Sequence, residues 1–148
     1  FKNKILVIGF IFTNCPDVCP ITTHNMEMVQ QKLKDQKIND VEFAALSFDP
    51  DRDTPKVLKE FAEVRNIDLT NFEFLTGEKS QINSLTSLMN VNAFTGDTTF
   101  TESGEPVYFF VHTDRITLVD QESRIRKEYS GSKINIDEII SDIKSIGD

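Results

Sequence analysis

The chain has 148 residues, 39% of them hydrophobic, enough to bury one proper core without disulfides or metal and too few for two comfortable domains. Its formal charge of -8, with no Lys/Arg cluster, excludes nucleic acid and anionic membrane surfaces as partners, because both demand a basic footprint. The longest apolar run, residues 5–12, is far short of a bilayer span, and no signal peptide is visible. The chain starts at Phe1 without Met and enters a strand almost at once, so it reads as one domain, residues 1–148, excised from a longer protein.

Residues 4–12 form an apolar run of the kind that a strand buried on both faces requires. Residues 21–34 carry helix-compatible residues with apolar positions at Met26, Val29 and Leu33. Residues 41–48 read as a second strand, followed by the turn-rich 49–55, in which Thr54 is an N-cap and Pro55 takes the first helical position. The helix runs to about Arg65 with Val57, Leu58, Phe61 and Val64 along one face. A short third strand at 72–75, a Thr76-Gly77 turn and a helix at 80–89 complete a βαβαβα order, which favours a parallel sheet with right-handed crossovers.

Residues 90–106 read as a polar loop. An apolar strand follows at 107–111, with further strands at 116–119 and 125–129 joined by the turn Asp120-Gln121-Glu122-Ser123. After Gly131-Ser132 a final amphipathic helix turns Ile136, Ile139, Ile140 and Ile143 inward. A parallel half joined to an antiparallel hairpin and a closing helix is an α/β, thioredoxin-like architecture, with a central mixed sheet flanked by helices on both faces. Fold alone does not choose among disulfide exchange, peroxide reduction and metal handling.

The only two cysteines, Cys15 and Cys19, sit where the first strand meets its helix. Thiols at such a junction face the exposed N–H groups at the positive end of the helix, and thiolates both attack disulfides and bind metals. A structural disulfide over so short a loop gains little chain entropy, and Pro16 and Pro20 stiffen a turn rather than a core. The spacing of three residues permits a disulfide and also lets both sulfurs point at one ion. A peroxiredoxin would need a single threonine-supported cysteine. Thioredoxin-like reductases place a proline before the strand at 116–119, but here Thr113-Asp114-Arg115 precedes it, and before that His112. His24, five residues beyond Cys19, points sideways from the thiols and is structural. His112, at the end of a central strand, borders the start of the first helix, so Cys15, Cys19 and His112 could converge as two sulfurs and one nitrogen. Three such donors fall short of a closed zinc site and suit Cu(I), or Cu(II) with an added oxygen donor, on a carrier rather than a store.

At these residues the chain resembles the Sco/SenC family, thioredoxin-fold copper proteins of the bacterial envelope and mitochondrial inner membrane that help assemble cytochrome c oxidase. The segments Phe12-Thr13-Asn14-Cys15-Pro16-Asp17-Val18-Cys19-Pro20 and Ser47-Phe48-Asp49-Pro50-Asp51-Arg52-Asp53-Thr54-Pro55 are similar to two family signatures, and His112 matches a third. The resemblance implies that Cys15, Cys19 and His112 bind copper. It implies that the dithiol delivers the metal to, or reduces the cysteines of, the oxidase's dinuclear copper site, or serves another copper carrier. Asp49 matches a family acidic residue near the site, although a turn plus N-cap also explains its segment. An N-terminal hairpin and membrane anchor are expected ahead of residue 1. Val111 stands where many members have Asp, and Gln121-Glu122-Ser123 replaces a glycine-containing turn. Two other functions use the same residues: a thiol-disulfide oxidoreductase in which Cys15 and Cys19 cycle, and a redox-sensing module whose 90–106 loop docks a partner.

Overall fold

Strand β1 (Ile5–Ile11) is the middle strand of the central sheet, and all its residues except Leu6 are buried. The structure, a computed structural model, describes residues 1–15, 18–108 and 110–147, with the side chains of Val18 and Cys19 outside the description. On one side of β1 lie β2 (Val41–Ser47) and then β3 (Phe72–Leu75), both parallel to it. On the other side lie β8 (Ile116–Val119), antiparallel to β1, and β9 (Ile125–Tyr129), antiparallel to β8. The order β3-β2-β1-β8-β9 is the mixed sheet expected from an apolar parallel half followed by a hairpin.

Helix α1 (Val18–Asp35) buries Met26, Val29 and Leu33, the spacing that predicted it. It begins three residues earlier than the periodicity suggested, so Cys19 falls in its first turn. Pro20 is accommodated there, because the first N–H groups of a helix have no intrahelical acceptor. At Gly9 an added Cβ would stand 2.6 Å from Met26 Sδ, so the missing side chain sets how closely α1 approaches β1. Helix α2 (Pro55–Val64) is capped by Thr54, whose Oγ1 accepts the Val57 N–H at 3.3 Å. Its buried stripe is Leu58, Phe61 and Ala62, one position round from the expected face, and Val64 is 78% exposed. Helix α3 (Lys79–Leu88) buries Ile82 and Thr86, and α4 (Ile136–Gly147) buries Ile139, Ile140 and Ile143 while packing against α1 and β1.

Two expectations need correction. The stretch 107–111 is not one strand of the central sheet. Strand β7 (Phe110–His112) pairs with β4 (Ala93–Thr95), while β6 (Pro106–Val107) pairs with β5 (Thr99–Phe100), giving two separate two-stranded ribbons. The run alternates: Val111 is 53% exposed while Phe110 and His112 are half-buried, unlike β1 and β2, which are buried on both faces. By the same pairing the 90–106 segment is not structureless. Gly104, at φ +81, donates its N–H to Thr101 O in a turn closed by Thr101 N–H on Glu105 O.

The β8–β9 turn is organised by the buried Asp120 carboxylate. Its Oδ1 accepts the N–H groups of Glu122 (3.1 Å) and Arg124 (2.9 Å), and its Oδ2 accepts Arg124 Nε (2.9 Å) and Arg126 Nη1 (3.1 Å). Desolvation acts to raise the Asp120 pKa, but these hydrogen bonds and charges outweigh it and hold the group at about 2. Ser123 pays in backbone strain, adopting φ +63, a left-handed conformation that glycine takes most readily.

Ser123→Gly is therefore expected to raise stability by up to about 1 kcal/mol, seen as a melting temperature higher by a few degrees; a lower one would contradict the strain. Because Asp120 titrates lower in the folded chain than in the unfolded one, its contribution is complete above the ordinary aspartate range. It is lost as pH falls through about 2. In urea titrations from pH 5 downward, the stability difference between the native chain and Asp120→Asn should shrink, whereas a constant difference would contradict the linkage.

Candidate metal centre and the segment that frames it

The end of β1 and the end of β2 emerge side by side, and Phe48 N–H continues their pairing by donating to Ile11 O at 3.1 Å. Beyond β1 come Phe12, Thr13, Asn14 and the half-buried Cys15, whose N–H donates to Phe12 O at 3.3 Å and closes a turn. Beyond β2 comes the 49–53 segment, which holds that turn in place. Asp53 is 1% exposed, and its Oδ2 accepts Thr13 N–H (3.0 Å) and Ser47 Oγ–H (2.5 Å) while its Oδ1 accepts the Thr13 hydroxyl. A buried carboxylate is tolerable only when its lone pairs are taken up in this way. Thr13, two residues before Cys15, is thus anchored by backbone and side chain to a residue forty positions on.

His112 reaches the same end of the molecule from the β4–β7 ribbon. Its ring lies 4.8 Å from the ring of Phe48 and 5.9 Å, edge to face, from that of Phe12. Phe110 closes the cluster at 5.3 Å from Phe12 and 5.0 Å from Phe48, all within the range where aromatic pairs attract. Phe12 therefore touches the imidazole with its ring and the Cys15 turn with its carbonyl. The His112 Nδ1–H donates to Thr113 O at 2.9 Å, a tautomer that places the ring's lone pair on Nε2, as a metal-binding imidazole requires. Just beyond, Asp114 accepts Ser132 N–H (3.0 Å) and the hydroxyls of Ser130 (2.9 Å) and Ser132 (2.5 Å). Desolvation works to raise the Asp114 pKa, but these hydrogen bonds and the neighbouring His112 lower it overall.

Asp49 is 3% exposed and lies between the two arms. Its backbone carbonyl accepts the N–H groups of Arg52 (3.2 Å) and Asp53 (2.8 Å), and its Oδ1 accepts the Tyr108 hydroxyl at 3.2 Å. Burial pushes the Asp49 carboxyl up, and the Tyr108 hydrogen bond only partly offsets that. The Arg52 guanidinium lies 3.6 Å over the Tyr108 ring and donates from Nη2 to Pro106 O at 2.7 Å.

Of the residues singled out in the sequence, Cys15, Asp49 and His112 thus lie around one aromatic cluster, and Thr13 and Asn14 line a surface cleft with Arg52, Pro106 and Val107. Cys19 has its backbone in the first turn of α1, and its side chain lies outside the described residues, as do Pro16 and Asp17 of the cysteine motif. Among the described residues no three His, Cys, Asp or Glu side chains form a metal-holding group. His24 is on the exposed face of α1, with Nδ1 3.7 Å from Glu27 Oε2. Sequence reasoning missed Asp53, Arg52 and Tyr108. The 49–55 segment was legible as a turn and cap, but nothing local announces that its carboxylates reach residues 13 and 108.

The family model for SCO1/SenC matches residues 1–148. The chain is 35% identical over 146 residues to the SCO1 protein homolog of Bacillus subtilis, covering 97% of this chain and 72% of that protein. It is also similar to the crystal structure of a SCO1/SenC family lipoprotein from Bacillus anthracis (TM-score 0.82, 33% identity, covering 99% of this chain and 83% of that one). The structure of Bradyrhizobium japonicum ScoI with copper bound is similar at TM-score 0.79 and 28% identity, covering 98% of this chain and 86% of that one. Four SCO2-like proteins of Rickettsia species are covered over 59% to 60% of their length.

Asp53→Ala strips an acceptor from Thr13 N–H, the Thr13 hydroxyl and the Ser47 hydroxyl, and is expected to cost about 2 to 4 kcal/mol in urea denaturation. A loss below about 0.5 kcal/mol, the scale of surface substitutions, would contradict the anchoring role.

Proposed function

Since the chain belongs to the SCO1/SenC family, we propose that it is a copper metallochaperone in which Cys15, Cys19 and His112 hold one copper ion for transfer. The observation that carries this reading is the position of His112: a residue from late in the chain packs against Phe12, the residue whose carbonyl closes the Cys15 turn. Two thiolates and an imidazole are a soft, low-coordinate donor set suited to Cu(I). Its Nδ1–H is committed to the Thr113 carbonyl, which orients the ring and raises the basicity of Nε2. The copper-bound relative and the lipoprotein relative support copper as the cargo and the cell envelope as the location, with the 148 residues acting as one thioredoxin-like unit of a membrane-tethered protein. In a eukaryote the corresponding place is the mitochondrial inner membrane. The receiving partner on this reading is the copper-site subunit of cytochrome c oxidase or another copper carrier. Three ligands at the end of the sheet, with Cys15 and His112 half-buried, would let such a partner displace them one at a time.

A second reading, thiol-disulfide exchange with that same subunit, is favoured by the placement of Cys19 in the first helical turn, directly after the Cys15 junction. One dithiol can serve both purposes, because reduced sulfurs carry copper and the same reduced sulfurs can give two electrons to a partner's disulfide, freeing its two thiols as Cys15 and Cys19 close into a disulfide.

Anaerobic titration of the reduced protein with Cu(I), against a chromophoric competing chelator, is expected to show one tight site per chain that His112→Ala weakens by at least about tenfold, or about 1.4 kcal/mol. Equal affinity in the variant would remove His112 from the site, and absence of tight binding in the native chain would leave the dithiol exchange reading.

A further inference from the structure

We infer that Tyr108 and Arg52 are positioning residues that latch the His112 ribbon to the 49–53 segment, the same segment that anchors the cysteine turn. The consequence for metal binding rests on the copper reading above; the latch itself rests on geometry. His112 belongs to the β4–β7 ribbon and not to the central sheet, so the pairing that fixes β1 and β2 does not fix the imidazole. Two hydrogen bonds run from the stretch ahead of it to the sheet's end: Tyr108 hydroxyl to Asp49 and Arg52 Nη2 to Pro106 O. The stacking of the Arg52 guanidinium on the Tyr108 ring joins them into one unit.

The other arm ends on the same segment. Asp53 holds Thr13, and the Asp53 and Arg52 N–H groups both donate to the Asp49 carbonyl. Five consecutive residues, 49–53, therefore grip the arm before Cys15 and the arm before His112, with Asp49 buried between them. Removing a grip on one arm should loosen that arm alone. Tyr108→Phe is the narrow test, because the ring keeps its partners Arg52 and Phe110 and loses only the bond to Asp49. Arg52→Gln is the second variant, with the Tyr108 hydroxyl left in place.

Amide hydrogen exchange on the reduced, metal-free protein reads the latch directly. In both variants exchange in the β4–β7 ribbon is expected to speed up about tenfold, with β1 and β2 unchanged, the scale of one hydrogen bond to a charged group. Unchanged exchange in the ribbon, or equal acceleration in β1 and β2, would overturn the proposal. Competition titration with Cu(I) then reads the consequence. Tyr108→Phe should weaken binding about tenfold in the native background and not at all in a His112→Ala background, since the hydroxyl acts through the imidazole. A loss that persists without His112 would overturn the positioning role. If the native chain binds no Cu(I), the metallochaperone reading fails by itself, and the exchange result still decides the latch.

Discussion

The buried carboxylate of Asp53 is the constraint on which the upper end of this molecule depends. Strands β1 and β2 pair through Ile11 and Ser47, and at the point where their ladder ends Asp53 takes over, accepting from Thr13 on one strand's continuation and from Ser47 on the other. The cysteine turn is thereby a supported structure, fixed two residues before Cys15. The Phe12 ring remains packed under it against Phe48.

The second half of the candidate site is built differently. Its imidazole is carried by a two-stranded ribbon, steadied by rings rather than by a sheet. Phe48 and Phe12 pack on it at centroid distances of 4.8 and 5.9 Å, Phe110 packs on both of those rings, and the Thr113 carbonyl sets its tautomer. On the copper reading, a cysteine turn held by Asp53 and an imidazole held separately suit a carrier, whose ion needs a defined resting place while one ligand yields without disturbing the core. The outward face of the same ribbon shows Phe94 and Val111, directly opposite one another and both more than half exposed.

The sequence made much of this legible, for physical reasons that can be named residue by residue. The all-apolar run at 5–11 could only be a doubly covered strand, and the spacing of Met26, Val29 and Leu33 could only be one helix face. The Thr54-Pro55 step marked a helix start that the structure reproduces. The site's outline was visible too, because a cysteine pair at a strand-helix junction and a single late histidine are chemically distinctive. The expectation for 107–112 failed because a short apolar run carries no mark of which sheet it joins, and it is the pairing with residues 93–95 that assigns 110–112 to a ribbon. The roles of Asp53 and Tyr108 were invisible for a related reason. A turn-forming aspartate and a lone tyrosine are unremarkable locally, and their meaning lies in partners 40 and 59 residues away.

The central claim is that two sulfurs from the start of the chain and one imidazole from near its end share a single copper ion. X-ray absorption at the copper edge, on protein reduced and loaded with one Cu(I) per chain, tests this most directly. Coordination by two sulfurs and one nitrogen, with the imidazole's outer-atom scattering lost in His112→Ala, is the expected result. A sulfur-only environment that the substitution leaves unaltered would contradict it.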